Sequence, residues 1–342
     1  MTRLPQLDPA VAECRVAVRR TLAECIRPPA DDEGWGGRLV LVALSGGADS
    51  LALAAAAAFE APRVGLRAGA VVVDHGLQQG SAEVADRAAQ QARGLGLEPV
   101  VVRRVSVPER DSTGPEGAAR AARYAAIEMV RAECGAVAVL TGHTKDDQAE
   151  QVLLALARGS GTRAVAGIPP ARDAILRPLL GVSRTTTERA CAAQGLEPWR
   201  DPHNADPVYT RVRVRERILP LLEHELGPGI AANLARSAEL AREDADALDV
   251  LAREAYDAAM SEESGAPPRL DIAALATLPL ALRHRVIRHA ARIAFGTSLT
   301  REHALAVAAL ITDWHGQGPI HVPGGEVRRS GMYLILMSSS PR

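Results

Sequence analysis

Four apolar runs of strand length recur along the first part of the chain, at residues 39–44, 69–74, 99–105 and 136–141. Each run is followed by a segment with the composition or periodicity of a helix. This alternation predicts strands joined by helical crossovers, which pair in parallel and bury both faces of their sheet. A fifth short run at 174–179 and a helix near 183–194 continue the pattern. The sequence therefore predicts a doubly wound parallel α/β domain, with any ligand at the carboxyl ends of the strands.

The pattern changes after this domain. The loop EPWRDPHNADPVY has no regular periodicity, and helical patterns follow from about 219 to 260 and from 270 to 311, separated by SEESGAPP. Alternating apolar positions in the closing segment IHVPGGEVRRSGMYLILM predict a small terminal hairpin or meander. We predict three parts, which are a helical N-terminal extension over 1–38, the α/β domain over 39–222 and a mostly helical domain over 223–342.

Composition limits the possible functions. The chain has 40 basic and 41 acidic residues, so any contact with RNA must use local patches instead of a global positive field. The apolar run after Ser50 stops at Glu60 and Pro62, far short of a membrane span. Four cysteines lie far apart with no CxxC pair, at Cys14, Cys25, Cys134 and Cys191. This spacing indicates neither a zinc site nor a disulfide scaffold, and we expect a soluble, cytoplasmic protein.

The first strand breaks into SGGADS and resumes directly as an alanine-rich helix. Gly46 and Gly47 would let backbone amides approach a phosphate, and Ser45 and Ser50 would donate their hydroxyls. Asp49 beside a phosphate would be repulsive without a cation between them, so the loop predicts Mg²⁺ shared by Asp49 and nucleotide oxygens. The structural alternative is an ordinary helix start. No GxxxxGK[ST] motif occurs, which excludes a Walker loop.

A second cluster, GHTKDDQAE, begins where the fourth strand ends. His143, Asp146 and Asp147 come together there. Two acids at a helix start are also favourable with the helix dipole, and His143 alone is compatible with a satisfied loop histidine. Carboxylates from two strand ends are what a shared metal needs, and this favours a site that joins Asp147 with Asp49.

Two arginine-rich stretches leave their interpretation open. In PEGAARAARY, Glu116, Arg120 and Arg123 lie near one helical face. Helical salt bridging explains the spacing of Glu116 and Arg120, whereas the functional alternative has one arginine reach a triphosphate. In YTRVRVRER, arginine alternates with valine. This pattern fits a solvated strand edge, a helix start or a local patch that binds phosphates.

Taken together, these stretches resemble the PP-loop ATP pyrophosphatases, and more closely the tRNA(Ile)-lysidine synthetases. The shared motifs are, in order, SGGADS, VVVDHGL, EGAARAARY, GHTKDDQAE with LLALARGSG, RPLLGVSR, the DPHN loop and the arginine segment before ILPLL. They cover roughly residues 39–222, and their order is far more specific than the glycine loop alone. Three positions, Gln78, Gln151 and Val212, depart from residues common in the family and leave the reaction class unchanged.

The resemblance implies a two-step reaction on the wobble cytidine of an isoleucine tRNA with the anticodon CAU. The cytosine carbonyl oxygen first attacks the α-phosphate of ATP and releases pyrophosphate. The amine of free L-lysine then attacks C2 of the activated ring and displaces AMP, which produces lysidine and changes decoding from AUG to AUA. A metal, loop amides and an arginine would offset the charge on the phosphates.

The resemblance also carries roles onto individual residues. It assigns ATP binding to Ser45, Gly46, Gly47, Ala48, Asp49 and Ser50. It assigns Mg²⁺ to Asp49 and Asp147, which are also expected to be catalytic, together with Arg120 or Arg123. The pocket for lysine and cytidine is expected at His143 and Asp146. Contacts with tRNA are expected from the C-terminal domain and from Arg211, Arg213 and Arg215. No membrane partner is expected, and a homodimer is compatible with the sequence.

Two rival functions remain open from the sequence. A PP-loop tRNA thiolation enzyme would adenylate a base and then deliver sulfur, and such enzymes generally need paired or catalytic cysteines, which are absent from the recognised loops. A nucleotide-binding or RNA-binding module without catalysis is the other, and Asp49 and Asp147 argue against it. ATP-dependent release of pyrophosphate would separate catalysis from binding.

Overall fold

The structure, a computed structural model, describes residues 7–26, 37–74, 76, 80–105, 114–200, 206–261 and 267–339. The chain divides into two compact units, Met1–Leu240 and Ala241–Arg342. The predicted domain boundary at residue 222 lies before this division, and the three-part organisation stays a prediction. Across the described ranges, no helix is both long enough and apolar enough to span a bilayer.

The first unit is built on a six-stranded sheet. Its strands are β1 (Leu39–Ala43), β2 (Arg67–Asp74), β3 (Val100–Arg104), β4 (Ala136–Thr141), β5 (Ala171–Arg172) and β6 (Ile175–Leu176). They lie in the order β3-β2-β1-β4-β6-β5, and all neighbours are parallel except β5 and β6. The direction of winding changes between β1 and β4, which is where doubly wound sheets bind ligands. The predicted parallel α/β fold is confirmed.

Helices cover both faces of this sheet. They are α1 (Pro9–Cys25), α2 (Ala48–Glu60), α3 (Ser81–Gly94), α4 (Gly114–Glu133), α5 (Lys145–Ala157), α6 (Thr162–Val165), α7 (Arg184–Ala193), α8 (Thr210–Arg213) and α9 (Leu219–Leu226). In β1, Leu39 and Leu41 pack with Ile127 of α4, whereas Val40 and Val42 join the larger core with α1, α2 and α7. Because successive side chains of a strand point to opposite faces, this burial on both faces accounts for the continuous apolar run.

The end of the sheet differs from its predicted form. The apolar run at 174–179 predicts a full strand, but only Ile175–Leu176 pair with β4. Pro178 begins a 3₁₀ turn over Pro178–Gly181, since proline has no N–H with which to continue the ladder. The helix predicted near 183–194 is α7, whose N-cap Ser183 accepts a hydrogen bond from the Thr186 amide (3.1 Å).

The second unit combines helices with a five-stranded sheet. Its helices are the last part of α10 (Ile230–Ala259), α11 (Ile272–Thr277), α12 (Leu280–Phe295) and α13 (Arg301–Thr312). Its strands are β7 (Met260–Ser261), β8 (Arg269–Asp271), β9 (Ile320–Val322), β10 (Gly325–Ser330) and β11 (Tyr333–Ser338). The last three form an antiparallel meander, and β8 extends it by pairing with β11. This sheet has two strands more than the predicted meander. The sequence did not reveal β7 and β8 because they are too short to show alternation of apolar and polar residues.

Candidate active site

The loop between β1 and α2 is held by its own serines. Gly46 has a φ of +84°, which favours glycine. The Ser50 hydroxyl donates to the Gly47 carbonyl (2.9 Å) and accepts from the Ser45 amide (3.2 Å). Ser50 is buried, and its hydroxyl holds the backbone of the loop in place. Gly47, the N-cap of α2, has no side chain to cap the helix, which leaves the first amides of α2 for an anion.

The carboxyl ends of β1 and β4 are in direct contact. Gly142 follows β4, and a Cβ atom at this position would lie 3.0 Å from the carbonyl carbon and oxygen of Asp49 and from the Ser50 amide nitrogen. Any side chain here would push α2 away from the end of β4. This close approach brings the glycine loop and the GHTKDDQAE segment into one site, as the topology predicts.

Arg184, which was not predicted, lies among three acids from these two segments. We call Asp49, Asp147 and Glu150 the carboxylate cluster. The guanidinium of Arg184 places Nε 3.5 Å from Asp49 Oδ2, Nη2 3.2 Å from Asp147 Oδ1 and Nη1 3.4 Å from Glu150 Oε1. The two carboxylates predicted to share a metal are thus brought together and bridged by an arginine. Its only signal in the sequence is its position at the end of RPLLGVSR.

Asp49 is held from α7. The Thr187 hydroxyl lies within hydrogen-bond distance of two acceptors, Asp49 Oδ1 and the Arg184 carbonyl (2.7 Å), which share its one proton. Burial raises the pKa of Asp49 to about 6, against the opposing effects of Thr187 and Arg184, and the charge of Asp147 adds to the increase. Because this pKa lies only about one unit below pH 7, Asp49 is mostly ionised at pH 7, as a carboxylate that binds a cation must be.

The two carboxylate oxygens of Asp147 have different contacts. Its Oδ2 accepts from the amide (2.8 Å) and hydroxyl (3.0 Å) of Thr144, forming the capping box of α5. Its Oδ1 faces Arg184 and, at 3.5 Å, Arg211. Burial alone would raise the pKa of Asp147, but Arg184, the Thr144 amide and Arg211 together lower it below its usual value. Capping of the helix start therefore accounts for Oδ2 of Asp147 but not for the contacts of Oδ1 with the arginines.

Glu150 is the buried centre of the arginine contacts, and it too was not predicted. It lies one turn after Asp147 on α5 and has no exposed surface. Arg211 Nε and Arg215 Nε each lie 2.7 Å from a Glu150 oxygen. The spacing DxxE at the start of a helix indicates that both acids share one face, which is the signal that could have revealed it.

The predicted tRNA-binding arginines therefore point in different directions. Arg211 and Arg215 lie four residues apart, on α8 and the π-helical turn Val214–Ile218, and both reach inward to Glu150. Arg213 instead donates to the carbonyls of Pro207 and Val208, each at 2.7 Å. The segment is a helix start and not an alternating strand edge, and its contact with tRNA stays a prediction.

The two predicted pocket residues have distinct surroundings. Asp146 Oδ2 accepts from the Arg184 amide (2.8 Å) and so links the first turns of α5 and α7. His143 Nδ1 lies 3.0 Å from the Thr141 hydroxyl. Burial lowers the pKa of His143 to about 4, with Asp147 opposing and nearby arginines, including Arg177 and Arg120, adding to the decrease. His143 is therefore neutral at pH 7.

A recess of about 190 Å³ opens on the side of the site formed by α5, α7 and α9. Its polar lining comes from Asp146, Glu150, Arg184, Arg215 and Glu223, and its apolar lining includes Leu219 and Pro220. The combination of carboxylates with an apolar wall suits a ligand that has an ammonium group on an aliphatic chain.

Arg120 and Arg123 lie on the exposed side of α4. The Arg120 guanidinium is 5.0 Å from the centre of the Tyr124 ring, and its Nη2 is 3.3 Å from the Tyr124 hydroxyl. Arg120 also acts on the pKa of His143, which relates it to the site. The proposed salt bridge from Glu116, and the motif residues at 75, 78 and 201–204, lie outside the described residues or side chains.

The carboxylate cluster fits Mg²⁺ only as a shared ligand. Among the described residues, no group of three or more His, Cys, Asp and Glu side chains could hold a metal by themselves. Mg²⁺ is commonly bound by one or two carboxylates together with nucleotide phosphates and water. Asp49 and Asp147 are donors of this kind, so the pair fits a cation that arrives with ATP, provided that Arg184 yields its place between them.

The cysteines do not fit sulfur transfer. Cys14 and Cys191 belong to the core, where burial raises the thiol pKa values to about 11 and about 12. Burial also raises the pKa of the exposed Cys25. Sulfur chemistry depends on a reactive thiolate, and these groups are protonated at neutral pH. Cys14, Cys25 and Cys191 therefore give no support to the thiolation alternative.

The chain is similar to known proteins over most of its length. Residues 15–222 match the PP-loop domain family, and residues 270–334 match the TilS substrate binding domain. The tRNA(Ile)-lysidine synthase of Leifsonia xyli subsp. xyli is 59% identical over 300 residues, 88% of this chain and 90% of that protein. The tRNA(Ile)-lysidine synthase of Thermobifida fusca is 52% identical over 97% of this chain and 98% of that protein.

Among solved structures, the U34-tRNA thiolase NcsA from Methanococcus maripaludis with its [4Fe-4S] cluster has a TM-score of 0.54. It is 19% identical and covers 68% of this chain and 80% of its own, so the likeness concerns the fold alone. The match over residues 15–222, together with relatives more than 50% identical over most of their length, establishes the relationship. The chain belongs to the tRNA(Ile)-lysidine synthase family.

Proposed function

We propose that this ligase joins L-lysine to C2 of the wobble cytidine of tRNA(Ile) with the anticodon CAU, through an adenylated tRNA, with release of pyrophosphate and AMP. The observation that carries the proposal is the contact between the two strand ends at Gly142. This contact joins an anion-binding helix start to a cluster of carboxylates. Adenylation needs both features at one place, since the phosphates require amide donors and a cation.

ATP is expected to place its phosphates against the first amides of α2. Gly46, Gly47 and Ala48 supply the backbone, and Ser45 and Ser50 keep the loop in the required shape. Asp49 and Asp147 would hold Mg²⁺. When bound, the ion would neutralise the charge that develops on the phosphates.

Lysine is expected to occupy the recess beside Asp146. The carboxylates there complement its side-chain ammonium, and Leu219 and Pro220 complement its methylene groups. Asp146→Asn keeps an acceptor for the Arg184 amide but loses the charge. This variant should raise the KM for lysine by about tenfold with little change in the KM for ATP, as expected for one lost charged contact. Equal changes in both KM values would contradict this assignment.

An arginine of α4 is expected to act on the triphosphate in the first step. Arg120 is the better placed of the two candidates, since it lies near enough to His143 to affect its pKa. Arg120→Ala and Arg123→Ala should therefore differ greatly in the rate of pyrophosphate release. Wild-type rates of pyrophosphate release for both variants would mean that neither arginine acts on the triphosphate.

The activity is tested by transfer of radiolabelled lysine to a CAU isoleucine tRNA transcript, with and without ATP. Elongator methionine tRNA, which has the same anticodon, is the control. ATP-dependent labelling of the isoleucine transcript alone is the expected result. Release of pyrophosphate without labelling would retain adenylation and exclude lysine as the nucleophile. Neither reaction would favour a binding module without catalysis.

Binding of tRNA is expected to involve the second unit and the arginines at positions 211, 213 and 215. A chain that ends at Leu240, the limit of the first unit, should bind tRNA more weakly while it still binds ATP. Circular dichroism and ATP binding would show that the shortened chain is folded. Unchanged affinity for tRNA at matched salt concentration would contradict a role for the second unit.

A further inference from the structure

One guanidinium contacts all three members of the carboxylate cluster. Arg184 lies 3.5 Å from Asp49, 3.2 Å from Asp147 and 3.4 Å from Glu150. Two of these acids are the ones assigned to Mg²⁺. A divalent cation shared by Asp49 and Asp147 must therefore enter a space that a cation of the chain itself already fills.

The ion pairs of Arg184 are longer than those of its neighbours. Arg211 Nε and Arg215 Nε contact Glu150 at 2.7 Å, a typical length for a charge-assisted hydrogen bond. All three ion pairs of Arg184 are longer, whereas its backbone amide is fixed by Asp146 at 2.8 Å. A change of rotamer at Arg184 would therefore break no ion pair shorter than 3.2 Å and would leave the start of α7 bonded to Asp146.

Departure of Arg184 would leave the most deeply buried acid of the cluster paired and would expose Asp49 to an incoming cation. Glu150, the only member of the cluster with no exposed surface, keeps its three hydrogen bonds from Arg211 and Arg215. Arg184 Nη1 makes the longest of the Glu150 contacts, at 3.4 Å. The cost of removing Arg184 therefore falls on Asp49 and Asp147, and a cation that takes its place would offset that cost.

The two metal carboxylates are also prepared for the exchange. The side chain of Asp49 is 23% exposed and that of Asp147 13% exposed, so a cation can reach both from solvent. Asp49 keeps the hydroxyl of Thr187, and Asp147 keeps the cap formed by Thr144. With Arg184 in place their charge is largely neutralised, and a free divalent cation gains little from binding there.

We propose that Arg184 is the resident counter-ion of Asp49 and Asp147 in the nucleotide-free protein, and that it exchanges with the divalent cation that accompanies ATP. The inference rests on the proposed function, which assigns both carboxylates to the metal. It makes cation binding depend on the nucleotide, because only the phosphates add the negative charge needed to displace Arg184. Arg184 is thus a positioning residue that keeps the carboxylates together before the substrate arrives.

The test is the affinity of the untagged, nucleotide-free protein for Mn²⁺, measured from the electron paramagnetic resonance signal of free Mn²⁺. Arg184→Gln should bind Mn²⁺ at least about tenfold more tightly than wild type, because Asp49 loses its ion-pair partner and Asp147 loses the nearest of its arginines. Arg184→Lys keeps the charge but loses the planar fork, and should gain about threefold. The lysine variant decides the test if the glutamine variant does not fold.

Two controls make the result specific. Arg213→Gln removes an arginine of the same segment that contacts the carbonyls of Pro207 and Val208 and none of the three acids, and should change Mn²⁺ affinity by less than about twofold. Adding Asp49→Asn to Arg184→Gln should remove the gain. The proposal is overturned if Arg184→Gln binds Mn²⁺ no more tightly than wild type, or if the gain survives Asp49→Asn.

The counter-ion role of Arg184 and the proposed function are tested by independent measurements. Lysine transfer is measured on the wild-type protein and does not enter the titration. Lysine transfer without a gain in Mn²⁺ affinity overturns the counter-ion role alone. A gain in affinity without lysine transfer supports the counter-ion role and overturns the proposed reaction.

Discussion

At the scale of single residues, Gly142 controls how closely the two halves of the site approach. A methyl group there would lie 3.0 Å from the backbone of Asp49 and Ser50, which cannot move without shifting α2. Gly142→Ala should therefore lower the rate of pyrophosphate release by at least about tenfold, since misplacement by less than 1 Å has such effects. Gly181→Ala is the matched control, because a Cβ at Gly181 meets nothing within 4 Å. Equal activity of the two variants would contradict this role.

Asp49 is expected to favour function at the expense of stability. Its pKa in the folded protein, about 6, lies above the reference value of 3.8. Folding therefore takes up a proton between these pH values, and the stability of the wild type falls as the pH rises through that window. Without nucleotide and with EDTA, Asp49→Asn should be about 1–3 kcal/mol more stable than wild type at pH 8. The same variant should abolish pyrophosphate release.

Urea unfolding of both proteins at pH 5 and pH 8 measures this difference. The advantage of the Asn variant should be smaller at the lower pH, where the wild-type carboxyl is largely protonated in the folded state. An advantage independent of pH would mean that the ionisation of Asp49 is not its cause.

At the scale of elements, α1 is tied to α2 through one buried carboxylate. Arg19 on α1 places Nε and Nη2 at 2.7 and 2.9 Å from the two oxygens of Glu60, which has no exposed surface. Arg19→Ala should lower the melting temperature by at least about 3 °C, because it leaves a buried acid without its partner. Arg20→Ala on the same helix breaks only the exposed pair with Glu24 and should have little effect. Similar melting temperatures for both variants would contradict the role of Glu60.

Elements also show where local patterns are insufficient. The start of α7 is recognisable from Ser183 as an N-cap, and its length follows from the pattern. The role of α7 in the site cannot be read from this local pattern. Arg184 and Thr187 contact Asp49 only because α7 packs beside α2. The alternating arginines after Tyr209 are compatible with a strand, but packing against α5 makes the segment helical and turns Arg211 and Arg215 toward Glu150.

At the scale of the whole molecule, Lys145 is the only lysine in the chain. It is the first residue of α5, half-buried, beside Asp146 and Asp147. An amine-acylating reagent should therefore modify only Lys145 and the N-terminal amine, and ATP should slow the reaction at Lys145 by shielding this edge of the sheet. Peptide mapping by mass spectrometry measures both sites, with the N-terminal amine as the internal control. Equal labelling of Lys145 with and without ATP would move the nucleotide away from α5.

The sequence by itself determined the parallel α/β sheet, its glycine loop and the sheet edge at which Asp49 and Asp147 meet. These features depend on side-chain period, on glycine and on helix starts, all of which act over a few residues. Only the tertiary structure decided which cations neutralise Asp49, Asp147 and Glu150. Arg184, Arg211 and Arg215 reach Glu150 from 34 to 65 residues away in the chain. Such pairings follow from how helices pack around buried charges, and no local pattern encodes them.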